Sequence, residues 1–123
     1  KPGGRAALQV ITMRDDLFED YRSRSDFIQR YVFPGGMLPS IERLRAESSA
    51  VGLHWDGVDT FGHDYDRTLS LWANAFERNW PAISAQGFDE RFRRFWLFYL
   101  AYCVAGFRMQ RIDVIQLALA KPA

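Results

Sequence analysis

Phe61-Gly62-His63-Asp64-Tyr65-Asp66-Arg67-Thr68-Leu69-Ser70-Leu71-Trp72 is the stretch that decides the fold. Before it, Leu53 to Phe61 reads as a weakly alternating strand, with Trp55, Val58 and Phe61 as its candidates for burial. After Gly62, the spacing of Tyr65, Leu69, Trp72 and Phe76 puts four apolar side chains on one face of a helix. A strand that passes into a helix at a glycine is a building unit of α/β proteins. Tyr65 stands at that corner, with Asp64, Asp66 and Arg67 around it. The helix is predicted to stop near Trp80-Pro81, because proline cannot continue an established helix.

Working upstream, Gly52 ends a helix that opens at Ser40, a good N-cap, and turns Ile41 and Leu44 inward. Phe33-Pro34-Gly35-Gly36-Met37-Leu38-Pro39-Ser40 is a loop that no helix or strand can cross. Asp15 to Tyr31 has the spacing of one or two short helices. Arg5 to Thr12 reads as a mostly buried strand. Downstream, Asp89 and Glu90 favour a new helix start. That helix carries the clearest pattern in the chain: Phe88, Phe92, Phe95, Trp96, Tyr99, Leu100, Cys103 and Phe107 on one face. Asp113 to Leu119 closes the sequence as a third strand. The predicted order is β, α, α, β, α, α, β.

Composition narrows the function. A chain of 123 residues predicts one domain, and 48% hydrophobic content excludes a disordered chain. The aromatic share of 15% exceeds what a small core needs and points to an apolar pocket or an interface. A net charge of +1, with acids and bases interleaved, gives no field for nucleic acid. Cys103 is the one cysteine, so no internal disulfide forms, which fits a reducing, cytoplasmic setting. It lies on the apolar face of its helix and reads as a buried thiol, not a nucleophile. His54 and His63 have no partners at metal-ligand spacing, so no metal site is expected. The chain begins Lys1-Pro2-Gly3-Gly4, a turn leading straight into a strand, which predicts a piece of a longer protein. Pattern by itself reaches an aromatic-rich α/β domain. Its aromatic stripe, taken by pattern, reads as core before it reads as the wall of a channel.

Five segments together carry a resemblance. They are Lys1-Pro2-Gly3-Gly4 before a strand; Phe27-Ile28-x-x-Tyr31-Val32-Phe33-Pro34-Gly35-Gly36-x-Leu38-Pro39-Ser40; Phe61-Gly62-x-x-Tyr65-x-x-Thr68-Leu69-x-x-Trp72; Phe76-x-x-Asn79-Trp80; and the run from Arg91 through Tyr99-Leu100, Cys103 and Phe107-Arg108 to Ile112-Asp113-Val114-x-Gln116. In this order they resemble the cyclopropane-fatty-acyl-phospholipid synthases, the family of the mycolic acid cyclopropane synthases. The resemblance implies that residues 1–123 are the C-terminal part of a class I, Rossmann-like methyltransferase domain dependent on S-adenosylmethionine. Its three strands would be the last three of that sheet, the final one antiparallel between the other two. The half that binds S-adenosylmethionine would lie upstream, so no cofactor-binding residue is assigned here, and the piece by itself is expected to be inactive.

The implied reaction is a lipid-biosynthetic transfer. Methylene passes from S-adenosylmethionine to a cis double bond of a membrane phospholipid acyl chain, and bound bicarbonate takes up a proton. Such chemistry needs a dry apolar slot, rings to face a transient cation and polar groups for one small anion. By resemblance Tyr65 hydrogen-bonds the bicarbonate, and the backbone of Ile11 contacts it. Gln9 falls where several members have a bicarbonate-binding His, a departure that alters the expected response to pH. Phe33, Leu38 and Leu69 match acyl-channel positions, with Trp72, Phe95 and Tyr99 as further candidates. The expected location is cytoplasmic, peripheral at the inner membrane surface. An unpaired Arg5–Thr12 edge predicts a homodimer, strand-paired or swapped. The alternative reading is a non-catalytic lipid-binding or dimerisation module derived from the same family.

Overall fold

Ile112–Ala120 is the strand around which the sheet assembles. Its apolar run predicts burial on both faces, and Val114, Ile115, Leu117 and Leu119 are all buried. The computed structural model describes residues 1–123. Its elements are β1 (Arg5–Met13), α1 (Asp15–Ser23), a π-helical turn (Ile28–Val32), α2 (Ile41–Ala50), β2 (His54–Thr60), α3 (Gly62–Arg78), α4 (Trp80–Ser84), α5 (Glu90–Arg108) and β3 (Ile112–Ala120). β3 runs antiparallel between its two neighbours, in the order β1-β3-β2. That is the α/β arrangement expected from the sequence. The chain forms two compact units, Lys1–Gly62 with Arg111–Ala123, and His63–Gln110.

In the first unit the register sets two faces. Val10 opposes Ile115, and Leu8 opposes Leu117, on the face that buries Ile115, Leu117 and Leu119. Ile41 and Leu44 of α2, with Leu53, Val10 and Trp55, pack against that cluster. Removing each such aliphatic side chain from water contributes roughly 1.5–3 kcal/mol. Trp55 is fixed further by donating its indole N–H to Ser48 Oγ at 2.9 Å, under the Arg45 guanidinium. Ser40 caps α2 as predicted, its hydroxyl accepting the Arg43 N–H. Gly52 takes a φ of 72°, the left-handed turn that ends the helix. The opposite face carries Ala7, Gln9, Gly57, Asp59, Gln116 and Ala118, which line an open depression of about 420 Å³. One extra residue, Asp56, bulges from β2 between Trp55 and Gly57, and its carboxylate pairs with Arg5.

Two expectations need correction here, and the one or two short helices expected over Asp15 to Tyr31 are present. β1 is not mostly buried: every residue from Arg5 to Gln9 is exposed, as is Ile11. The reason is position, since β1 pairs with β3 alone and has a free outer edge. Val58 is 41% exposed, and Trp55 and Phe61 are half-buried, so β2 is a thinly covered second edge. The segment after α1 forms a π-helical turn, closed by Phe33 N–H to Ile28 C=O at 2.8 Å.

In the second unit α3 and α5 lie antiparallel. Tyr65 meets Phe107 at one end, and Phe76 meets Phe92 towards the other. Asp89 caps α5, its carboxylate accepting the Phe92 N–H at 2.8 Å. Leu100, Cys103 and Phe107 of the predicted stripe are buried, with Phe92, Phe95, Trp96 and Tyr99 half-buried. The expected stop near Trp80-Pro81 holds, although the proline is not what ends the helix. α3 ends at Arg78, and α4 begins at Trp80 with Pro81 in its first turn. There the missing N–H costs nothing, so proline starts a helix instead of ending one.

Candidate functional site

The corner before α3 is built by one carboxylate. Asp113 Oδ1 accepts the N–H of Gly62 and the N–H of Val114, each at 2.7 Å. This negative group meets the positive end of α3 and fixes where the helix begins. A side chain at position 62 would collide with it, since an added Cβ would stand 2.4 Å from Asp113 Oδ1. Tyr65 thereby occupies the first turn of α3, half-buried, with its ring 5.4 Å from that of Phe107. The next residue anchors the turn. Asp66 accepts two hydrogen bonds from Arg108, at 2.8 and 3.0 Å. The Arg108 hydrogen bonds hold the Asp66 carboxyl below its ordinary 3.8, and the His63 side chain pushes the same way.

The rest of the α3–α5 wall is aromatic. Rings run in contact from Trp80 to Phe76, Phe92, Trp96 and Tyr99, at centroid distances of 5.1–6.2 Å. Each such pair adds about 0.5–1.5 kcal/mol beyond burial and stiffens the helix pair. Leu69 is buried at 5% exposure, and Phe95 and Tyr99 are half-buried. Burial is the main influence raising the Tyr99 hydroxyl above its ordinary 10.0, and the neighbouring Cys103 adds to it. Trp72 is 55% exposed, although it shares a helix face with Tyr65 and Leu69.

In the first unit Gln9 and Ile11 point to the same face of β1, two residues apart. Ladder alternation sets the direction of the Ile11 backbone. Arg14 N–H bonds across to Arg111 C=O, whereas Met13 N–H turns outward to Pro39 C=O. Odd-numbered residues of β1 therefore aim their amides at the outer edge, Ile11 among them. Gln9 sits opposite Gln116 and accepts the Gln116 side-chain N–H at 3.0 Å. Phe33 is 58% exposed on the loop before α2. Leu38 is half-buried, its N–H donating to the Tyr21 hydroxyl at 3.1 Å. Burial pushes that hydroxyl above 10.0.

Three side chains emerge that sequence reasoning gave no site role: Gln116, Asp66 and Arg108. Their partners are 107 and 42 residues away. The signal lay in the antiparallel register, which no local periodicity contains. No helix is long and apolar enough to cross a membrane.

Known proteins share this fold over almost the whole chain. The cyclopropane synthase MmaA2 from Mycobacterium tuberculosis superposes with a TM-score of 0.83 at 30% identity, over 98% of this chain and 45% of that one. The mycolic acid cyclopropane synthase CmaA1, complexed with SAH and CTAB, superposes with the same TM-score, identity and coverage. The fold is therefore the C-terminal part of a class I, S-adenosylmethionine-dependent methyltransferase. By sequence, the tuberculostearic acid methyltransferase UfaA1 of Mycobacterium tuberculosis is 38% identical over 98% of this chain and 29% of its own length. The cyclopropane-fatty-acyl-phospholipid synthase of Escherichia coli is 35% identical over 98% of this chain and 30% of its own. The family profile described as mycolic acid cyclopropane synthetase matches residues 1–117, and the chain belongs to that family. It spans about 30% of the length of these curated relatives.

Proposed function

We propose that this chain forms the acyl-chain side of an enzyme that transfers a one-carbon unit from S-adenosylmethionine to the cis double bond of a phospholipid acyl chain. The observation that carries this reading is Tyr65. Its ring is clamped against Phe107, its turn is braced by Asp66 and Arg108, and it opens a helix pair lined with rings. Such a wall excludes water and offers π faces to a positive charge developing on the alkene. S-adenosylmethionine supplies the electrophilic methyl group, and bicarbonate supplies a base for the proton lost on ring closure.

In this reading, which rests on the family resemblance and not on the placement of the two units, Tyr65, Gln9 and the Ile11 backbone are the groups that would serve the bicarbonate. By the family resemblance, Leu69, Phe95, Tyr99 and Trp72 of the second unit and Phe33 and Leu38 of the first are the residues that would contribute to the apolar slot. The protein works peripherally on the cytoplasmic face of a membrane, drawing the acyl chain out of the lipid. Residues 1–123 by themselves neither bind S-adenosylmethionine saturably nor turn over, and calorimetry on the isolated chain tests this.

The decisive variant is Tyr65→Phe in the full-length protein that carries this chain. Loss of one preorganised donor lowers kcat by about 10²-fold, while the melting temperature stays within a degree or two because the ring contact remains. Unchanged turnover removes Tyr65 from the mechanism.

A further inference from the structure

Resting on the peripheral-membrane reading above, we propose that the outward face of α5 is the surface that docks on an anionic phospholipid bilayer. Arg91, Arg94, Phe98, Tyr102 and Met109 are all exposed. Their spacing of three, four, four and seven residues puts them on one side of the helix. Leu100, Cys103 and Phe107, which are buried, lie on the opposite side. Phe98 is 54% exposed and Met109 67%, a size of apolar group that the packing of α5 does not require in water. The Phe98 and Tyr102 rings adjoin, with centroids 6.3 Å apart, so the patch is continuous. Ala101 and Ala105, also exposed, fill the gaps along it and keep its relief low.

The charge along this helix has one sign. From Arg91 to Ile112 the sequence holds five arginines and no acid. Arg93 is engaged by Glu77 and Glu90, and Arg108 by Asp66. Arg91 and Arg94 make no ion pair within the fold, and they stand at the head of the apolar stripe. Exposed rings and a thioether beside unpaired cations match the chemistry of a bilayer surface. The apolar groups enter the boundary of the acyl chains while the guanidinium groups reach the phosphates. No helix is long and apolar enough to cross the bilayer, so α5 lies along its surface. A second copy of the chain fits this face less well. A two-fold contact of the face with itself supplies no carboxylate to either arginine.

The test is co-sedimentation of the full-length protein that carries this chain with vesicles of phosphatidylcholine and phosphatidylglycerol, against vesicles of phosphatidylcholine alone. The wild type is expected to bind the mixed vesicles more tightly. Each arginine close to an anionic leaflet strengthens partitioning by about fivefold, so Arg91→Gln with Arg94→Gln is expected to lower binding to the mixed vesicles by about 20-fold. Arg91→Lys with Arg94→Lys is expected to stay within about threefold of wild type, because a lipid surface reads charge and not guanidinium geometry. Both arginine variants keep the wild-type melting temperature, since neither side chain is paired in the fold. Phe98→Ser with Met109→Ser is expected to weaken binding to both kinds of vesicle. Undiminished binding by the glutamine variant, loss of binding by the lysine variant, or equal binding of the wild type to both kinds of vesicle overturns the proposal and leaves the peripheral reading standing. A wild-type dimer that Phe98→Ser with Met109→Ser dissociates in light scattering assigns the face to a second copy and overturns it as well. A wild-type protein that binds neither kind of vesicle removes the peripheral reading and the proposal together.

Discussion

At the scale of single residues, the strand-to-helix corner depends on Gly62 and Asp113. The Asp113 carboxylate spans two backbone N–H groups, so it joins the start of α3 to β3 through one side chain. Gly62 is required by space: beyond the clash with Oδ1, an added Cβ would stand 3.0 Å from Asp113 Cα, an atom that no rotamer change can move away. Gly62→Ala is expected to destabilise by about 1–3 kcal/mol, the usual cost of overpacking, read as a lower urea midpoint. Asp113→Ala removes the acceptor of both bonds and is expected to cost about 2 kcal/mol. The double variant should lose less than the sum, because the alanine at 62 no longer meets the carboxylate. Strict additivity would mean that the two residues act apart, and that this account of the corner is wrong.

At the scale of elements, α3 and α5 are joined by two ion pairs at opposite ends. Arg108 holds Asp66, and Arg93 holds Glu77 at 2.5 and 3.0 Å. In both, the arginine's hydrogen bonds are the main cause of a carboxyl held below its ordinary value, 3.8 for Asp66 and 4.5 for Glu77. A carboxyl whose folded value is depressed stabilises the fold above its unfolded value, and that stability is lost as pH falls through the folded value. The helix pair is therefore expected to lose stability progressively once pH drops below 4.5, first through Glu77 and then through Asp66. Glu77→Gln should flatten the upper part of that decline in melting scans, and an unaltered slope would show that the Arg93 pair contributes nothing. These elements differ in how far the sequence reveals them. α5 was legible because the stripe from Phe88 to Phe107 and the Asp89 cap are local signals. β3 was legible from its apolar run. The π-helical turn at Ile28–Val32 and the restart of helix at Trp80 were not, since each depends on which carbonyl an N–H finds. The Tyr65 corner could be read from Gly62 and the spacing that follows. Gln9–Gln116 and Asp66–Arg108 could not, because they exist only once antiparallel partners are in register.

At the scale of the whole molecule, the feature with the largest consequence is the outer edge of β1. From Ala6 to Met13 the strand has no charged residue and no proline, the two devices that most often protect an edge from pairing. Met13 is covered by Pro39 and Ser40, through a hydrogen bond and an isolated parallel bridge. Further along the strand, Leu8 is 44% exposed and Ile11 is 41% exposed. A second copy of the same strand, running antiparallel, satisfies such an edge and extends the sheet across a two-fold axis. The isolated 123-residue chain is therefore expected to be dimeric by light scattering at tens of micromolar. Leu8→Lys places a charge on that strand and should return the chain to a monomer without loss of helical signal, as gatekeeper charges do on natural edges. If the wild-type chain is monomeric at that concentration, the exposed edge does not recruit a partner. If Leu8→Lys remains dimeric, the association uses another surface, and the exposed β1 residues reflect a neighbour that only a longer chain supplies.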